Sequence, residues 1–405
     1  MRRTYAPLTI ILLLGFCVMM MFIGHTMPYP VMAPWLKELG MGMGALGWVS
    51  LSFSLGNLIA APVAGTLVDR WGRRPVLIVG LVTMVVVNAI SPLFDSFPIF
   101  VILRFVLGLG NAGIMPAAMA AAADITPPEH RGRWLGLVGG GVSLGTIFGP
   151  TVGGILYDAY GFGMPFYVSA VLALLAVVCV WLMVPETQPL TSDDSPVPVH
   201  VRFWDVIRNP PQPLWILLIL LWVDFIWVYG WVSTEPAALA ALYTDAGYTA
   251  PMFGVVVGAL GVTTALSEFW LGSLSDRYGR FPLIALGMIV HVTWYVGVAY
   301  FAQYGMLIGL ALVSGFSVGL VNPALSAAYA DIADPTQRGR IAGIREMVFA
   351  IGGILGPLTA VLLTDRLSPQ LILMAGTVLL VATGVGVALV ATRRTIIPYT
   401  EHSGQ

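Results

Sequence analysis

The sequence predicts an all-α membrane protein, with twelve transmembrane helices folded as two pseudo-symmetric six-helix bundles. Composition is the first observation behind this. Of 405 residues, 58% are hydrophobic and only 10% are charged, and the mean hydropathy is +0.88. A soluble domain carries roughly 25% charged residues, so this chain has too little charge to coat a water-facing surface of its size. The solvent for most of it must be lipid, where backbone polar groups have to be satisfied within the chain. A spanning helix needs about 20 apolar residues, and twelve spans joined by short loops account for the length. Duplication is the second observation. The polar turn Gly65-Thr66-Leu67-Val68-Asp69-Arg70-Trp71-Gly72-Arg73-Arg74-Pro75 separates two apolar runs. It returns as Gly272-Ser273-Leu274-Ser275-Asp276-Arg277-Tyr278-Gly279-Arg280-Phe281-Pro282, with every position displaced by the same 207 residues. A shift held constant over such a stretch means that the chain is built twice.

Hydropathy places the spans at about 8–34, 43–68, 76–93, 98–123, 134–158, 163–184, 213–242, 250–274, 283–301, 306–331, 341–364 and 369–391. The first follows Arg2-Arg3 and runs beyond the length of a secretory leader without a small-x-small cleavage site, so it reads as a retained helix. Pro28 and Pro30 break it near its outer end. The second and third flank the Arg-rich turn, and the eighth and ninth flank its copy. The fourth holds Arg104 among apolar residues, and the fifth holds a glycine stripe around Pro150. After the sixth comes the one long polar segment, rich in Pro, Ser, Thr and Asp. The seventh is crowded with aromatic residues. The tenth and eleventh repeat the fourth and fifth at the same displacement: Pro116, Asp124 and Arg131 match Pro323, Asp331 and Arg338, and Gly145, Gly149 and Pro150 match Gly352, Gly356 and Pro357. The twelfth ends before a short polar tail. The organisation expected is an N-terminal bundle over 1–184, a cytoplasmic linker over 185–212, a C-terminal bundle over 213–392 and a cytoplasmic tail over 393–405.

Arginine placement sets the orientation. With the N-terminus inside, fifteen arginines fall on the cytoplasmic side, and only Lys37 and Arg366 fall outside. This positive-inside bias puts both termini in the cytoplasm of a multi-pass protein of the cell (inner or plasma) membrane. The net charge of −1 leaves no basic surface for nucleic acid. Cys17 and Cys179 sit in separate apolar runs and offer neither metal-ligand spacing nor a disulfide framework. Gly141–Gly145 and Gly315–Gly319 read G-x-S-x-G but lie inside spans, where no nucleophile elbow forms. Gly108–Gly113 reads G-x-G-x-x-G, also inside a span. With no Walker A sequence and no cofactor motif, the energy for any work must come from an ion or solute gradient. The partners expected are a small-molecule substrate, protons and the lipid bilayer, with the chain acting as a monomer.

The turn G-x-x-x-D-R-x-G-R-[RF]-P, present between the second and third spans and again in the second half, resembles the loop signature of the major facilitator superfamily, a large class of secondary transporters. The resemblance covers nearly the whole chain. It implies two six-helix halves that rock around a site near the bilayer midplane. Gly145-Thr146-Ile147-Phe148-Gly149-Pro150-Thr151-Val152-Gly153-Gly154 is similar to the fifth-span pattern of the family's antiporters; Ala360 and Val361 replace the paired glycines in the second copy. Small-residue packing alone also explains much of this stripe. Arg104 resembles the arginine of the family's fourth-span motif, which is tied to proton transfer, although Leu107 stands where that motif usually has glutamine. The pattern is most like the twelve-helix drug:proton antiporter group.

Stranded polar residues supply the candidate site. A charge deep in the bilayer costs roughly 2.5–3.5 kcal/mol on insertion scales, so it faces protein, water or a counter-charge. Arg104 aligns with Ala311 in the repeat, which means the fold itself does not require it. Trp222-Val223-Asp224-Phe225-Ile226-Trp227-Val228-Tyr229-Gly230-Trp231 places an acid among five aromatic residues, and Glu235 follows eleven positions on, close to the same face. A buried carboxyl can hold a proton in one state and release it in another. A carboxylate among rings also suits a lipophilic cation. Asp224, Glu235, Arg104, His25, Trp227 and Asn322 are therefore the substrate and proton candidates. The bland readings are a wet outer-end Glu235, an Arg104 bonding carbonyls of the first span, and a hydrogen-bonded packing histidine. Asp69, Arg70, Arg73, Asp124, Asp276, Arg277, Arg280 and Asp331 are gate candidates, because opposite charges at helix ends on one membrane face can pair as the halves close and part as they open. Glu268, Arg345 and Glu346 are expected to form one ion cluster on the same side, as gate or structural pairs and not as substrate groups. The function expected is proton-coupled export of lipophilic small molecules. The alternative is proton-coupled import, or uniport, of a small organic anion or polar nutrient, an anion being held by Arg104 with His25.

Overall fold

The computed structural model describes residues 7–42, 44–126, 131–187, 214–234, 246–271, 274–301, 303–332, 338–363 and 366–392. In the first half these form α1 (Pro7–Thr26), α2 (Tyr29–Glu38), α3 (Gly44–Trp71), α4 (Arg73–Ile90), α5 (Phe97–Asn111), α6 (Ile114–Ile125), α7 (Arg131–Tyr160) and α8 (Gly163–Met183). The second half has α9 (Leu214–Thr234), α10 (Ala250–Leu271), α11 (Leu274–Tyr278), α12 (Arg280–Tyr300), α13 (Tyr304–Ile332), α14 (Arg338–Leu363) and α15 (Pro369–Thr392). Among the described residues, eleven helical runs are long and apolar enough to cross a membrane. The remaining expected span is α14, whose apolar part, Met347–Leu363, is shorter because Arg345 and Glu346 precede it.

The first and fourth spans are each broken in two. At the first, Met27 and Pro28 form a turn between α1 and α2, as the prolines predict. The fourth break, at Ala112 and Gly113, was not expected: a methyl on Gly113 would lie 2.6 Å from Val76 Cγ1, so the bend rests on a close approach to α4. At the Arg-rich turns, Gly72 and Gly279 have φ of 103° and 89°, a backbone region in which any Cβ is strained. That conformation turns the chain sharply from α3 into α4, and again from α11 into α12.

The duplication extends to packing. In the first half α1 packs on α7 and α8, α3 on α5, and α4 on α5 and α8. In the second, α9 packs on α14 and α15, α10 on α13, and α12 on α13 and α15, the same pairings one repeat later. Each half has its own apolar core. One is centred on Leu14, Leu81, Ala118 and Val180, the other on Leu220, Ile284, Met288 and Leu325.

The halves meet mainly along two helix pairs, α7 with α10 and α3 with α14, with a smaller contact of α2 on α10. Glycine permits both contacts. A methyl on Gly254 would lie 2.5 Å from the Pro150 carbonyl oxygen, and one on Gly47 would lie 2.8 Å from that of Pro357. Thr151 Oγ1 donates to the Gly254 carbonyl across the seam at 2.8 Å. All of these positions lie toward the ends of their helices farthest from the Arg-rich turns. Toward the turns, a methyl on Gly65 of α3, or on Gly139 or Gly140 of α7, would meet nothing within 4 Å. Among the described residues, the seam is close-packed at the end farthest from the Arg-rich turns and has open space beside these glycines at the other.

Candidate functional site

The Arg-rich turns carry the same ion pair twice. Arg73 Nε lies 3.1 Å from Asp124 Oδ2, and Arg280 Nε lies 2.9 Å from Asp331 Oδ2. The second anchors also correspond: Arg73 Nη1 donates to the Val68 carbonyl and Arg280 Nη1 to Ser275 Oγ, both at 2.9 Å. Both pairs lie within a half, so each ties the start of one span to the end of the next. Arg70 is exposed, and the Arg277 guanidinium lies 5.5 Å over the Tyr278 ring. The side chains of Asp69, Asp276 and Glu346, and all of Glu235, fall outside the described residues.

Sequence reading passed over a further contact here. Glu186, beyond the sixth span, accepts hydrogen bonds from the Arg73 and Arg74 backbone nitrogens at 2.9 and 3.1 Å, and Thr187 Oγ1 donates to Asp124 Oδ2 at 3.0 Å. Glu186 thus satisfies orphan donors at the N-terminus of α4, where a carboxylate also suits the helix dipole. Its signal was a carboxylate directly after Pro185, on the membrane face that holds the arginines.

Arg104 is 4% exposed and turns into the first half. Its Nη2 donates to Ser91 Oγ at 2.9 Å and Asn88 Oδ1 at 3.3 Å, and its guanidinium lies 4.8 Å from the Phe100 ring and 5.5 Å from that of Phe166. These partners come from α4, the turn after it, α5 and α8. The first-span carbonyls weighed as its structural partners are not among them. His25, half-buried, lies against Phe22, Tyr29 and Phe53, with its ring 5.0 Å from that of Phe53. Trp227 does not join Asp224. Its ring packs 4.8 Å from that of His291, whose Nδ1 is 2.9 Å from Ser317 Oγ and 3.1 Å from Ser314 Oγ. That is a hydrogen-bonded packing histidine within the second half.

Asp224 has a partner that sequence reading assigned elsewhere. Arg345 Nε lies 2.8 Å from Asp224 Oδ2, and Nη2 lies 3.4 Å from Oδ1. The Asp224 side chain is 6% exposed and that of Arg345 is 35% exposed. Arg345 Nη1 also reaches Ser326 Oγ at 3.3 Å, and the guanidinium lies 5.2 Å over the Tyr329 ring. Among the described residues the expected Glu268–Arg345 contact is not formed: Arg345 is held by Asp224, and Glu268 Oε1 accepts from Asn322 Nδ2 at 3.1 Å.

The glycines of α7 divide between two neighbours. Gly145, Gly149 and Gly153 recur every fourth residue and press against Met19, Ile23, Thr26 and Met27 near the end of α1. Gly154, one position round, meets Ala250 of the other half, and Pro150 offers its carbonyl to Gly254. One helix thus holds its own bundle together on one face and forms the inter-half seam on another.

A duplicated all-helical bundle with a seam open at one end, and with stranded ionisable groups beside it, is a multi-pass membrane transporter. The family model described as Major Facilitator Superfamily matches residues 14–235 and 225–403; the chain belongs to this family. It is similar to Multidrug resistance protein 2 of Bacillus subtilis (strain 168), at 26% identity over 93% of this chain and 94% of the relative. It is also similar to Quinolone resistance protein NorA of Staphylococcus aureus (strain COL), at 24% identity over 88% and 90%. Among solved structures, the human organic anion transporter MFSD10 (TETRAN) matches with a TM-score of 0.70 at 20% identity, over 95% of this chain and all of that one. The nucleoside transporter NupG matches with a TM-score of 0.76 at 12% identity, over 95% and 99%.

Proposed function

We propose that this transporter exports lipophilic small molecules in exchange for protons, with Asp224 as the proton-carrying group. The observation that carries the reading is the buried Asp224 paired with a much more exposed Arg345. A proton on Asp224 cancels its charge and leaves Arg345 without a counter-ion. Without that counter-ion Arg345, whose side chain is 35% exposed, can turn toward solvent or another partner. The groups around Asp224 are Arg345 from α14 and Ser326 and Tyr329 from α13; α15, also packed on α9, carries no ionisable residue within Pro369–Thr392. Arg345 sits toward one end of α14, and the other end of α14 packs on α3 across the seam. A rearrangement at the pair therefore reaches the joint on which alternating access depends.

The relatives' names support the substrate class and direction. With the arginine-rich side in the cytoplasm, the open end of the seam faces the cell interior, ready to collect cargo for export. The test is transport of a lipophilic fluorescent probe in proteoliposomes with and without a pH gradient, using wild type and Asp224→Asn. The variant is expected to lose gradient-driven transport while still exchanging probe downhill. Unchanged proton-driven transport by Asp224→Asn sinks the assignment of Asp224, and proton-linked accumulation of a labelled organic acid by wild type sinks the export direction.

A further inference from the structure

Of the acids near the open end, Asp124, Asp224 and Asp331 each hold an arginine. Glu268 does not: among the described residues its hydrogen-bond partner is the neutral amide of Asn322. It is half-buried, near the end of α10 on the side of the Arg-rich turns. Its direction follows from helix geometry. Gly254, Gly258 and Gly261 of α10 form the face that packs on Pro150, Thr151 and Ile147 of the other half. Continuing that stripe by four and three residues gives Ala265 and Glu268, and at 100° per residue Glu268 falls about 20° round the axis from Gly261. On α7 the same continuation runs from Ile147 back by seven residues to Gly140, where a methyl would meet nothing within 4 Å. Glu268 therefore stands on the inter-half face of α10, at the level where the opposite wall has drawn away.

Its support comes from behind. Gly319 of α13 lies against Ser267 and the Glu268 backbone nitrogen, and Asn322, one turn further along α13, donates to the carboxylate. An amide donor orients a carboxylate without neutralising it, and leaves its second oxygen for a ligand. A further turn along the same face of α13 brings Ser326, which contacts Arg345. The carboxylate on the cleft wall and the Asp224–Arg345 pair are thus joined by a single face of α13.

We propose that Glu268 selects cargo by charge: its carboxylate receives the positive charge of an amphiphilic cation in the cleft. This rests on the export reading and adds a recognition site distinct from the proton-carrying pair. An arginine released from Asp224 is a neighbour of the same charge as such cargo, and like charges in a low-dielectric cleft exclude one another. Protonation at the Asp224–Arg345 pair then favours loss of the cation from Glu268, one turn away along the same face of α13.

The test is equilibrium binding to the purified full chain of two probes, tetraphenylphosphonium as cation and Nile red as neutral lipophile. Wild type is expected to bind both. Glu268→Gln, which keeps the size of the side chain and the bond from Asn322, is expected to bind tetraphenylphosphonium at least about tenfold more weakly, with Nile red unchanged. Equal cation binding by both proteins, parallel loss of both probes, or no cation binding by wild type overturns the proposal. A second measurement needs no variant. Carbodiimide modification of Glu268 in wild type, followed by mass spectrometry, is expected to be slowed by tetraphenylphosphonium and not by Nile red; indifference to the cation overturns the proposal. Cation binding that depends on Glu268 without any proton-driven efflux sinks the export reading and leaves the Glu268 assignment standing.

Discussion

Adjacent glycines of α7 do different work. A methyl on Gly153 would strike the Met27 backbone, with its carbonyl carbon at 2.8 Å, inside the first half. Backbone cannot rotate aside as a side chain can. Gly153→Ala is therefore expected to wedge α7 from α1 and to cost about 1–3 kcal/mol, as overpacked sites do, seen as a lower thermal unfolding midpoint in detergent. A methyl on Gly154 would strike Ala250 and Pro251 of the other half, with the Pro251 nitrogen at 2.7 Å. Gly154→Ala is expected to leave the unfolding midpoint nearly unchanged but to weaken the closed end of the seam, lowering transport. Equal midpoint losses for the two variants contradict this division. The ten-residue pattern was legible in the sequence as close helix packing. Which neighbour each glycine serves was not, because a one-position shift turns a side chain by about 100° and hydropathy does not resolve that rotation.

At the level of helices, the paired ends of α4 with α6 and of α12 with α13 are the same device with different reinforcement. Asp331 is 54% exposed, and Asp124 is 23% exposed and also accepts from Thr187. Exposed pairs contribute about 0–1 kcal/mol. Asp331→Asn is expected to lower stability by less than about 1 kcal/mol, and Asp124→Asn by more, because Asp124 is the less exposed acid and also accepts from Thr187. Chemical or thermal unfolding of the two variants checks the order, and a larger loss for Asp331→Asn reverses the argument. The repeat made both turns legible, since a constant displacement of polar residues survives where apolar residues drift. Asp224 was legible as an acid stranded in an apolar span, but its counter-ion was not. Arg345 lies 121 positions away in sequence, and the repeat offers no hint of the pair: one displacement earlier stand Cys17 and Val138. The partners of Arg104 were hidden for a related reason. Periodicity identified a costly buried charge, but only the packing of α4, α5 and α8 shows that the charge is boxed within its own half.

For the molecule as a whole, two separately packed halves with glycine-lined contacts between them bear on what motion is available. Each half has a closed apolar core, and the contacts between halves rest on small residues where backbones approach. Rocking therefore breaks few side-chain interlocks, and it leaves the Arg73–Asp124 and Arg280–Asp331 pairs intact, since each lies within a half. The seam between α3 and α14 makes this testable. Gly47 lies against Val361 across the seam, and cysteines at both positions are expected to form a disulfide on mild oxidation, with Cys17 and Cys179 replaced to remove background. The bridge should hold this end shut, abolish transport until reduced, and leave a cysteine at Gly140 open to a membrane-impermeant thiol reagent from the side of the Arg-rich turns. A cross-linked protein that still transports at the wild-type rate means that this end need not part, and the alternation inferred from the one-sided seam does not occur.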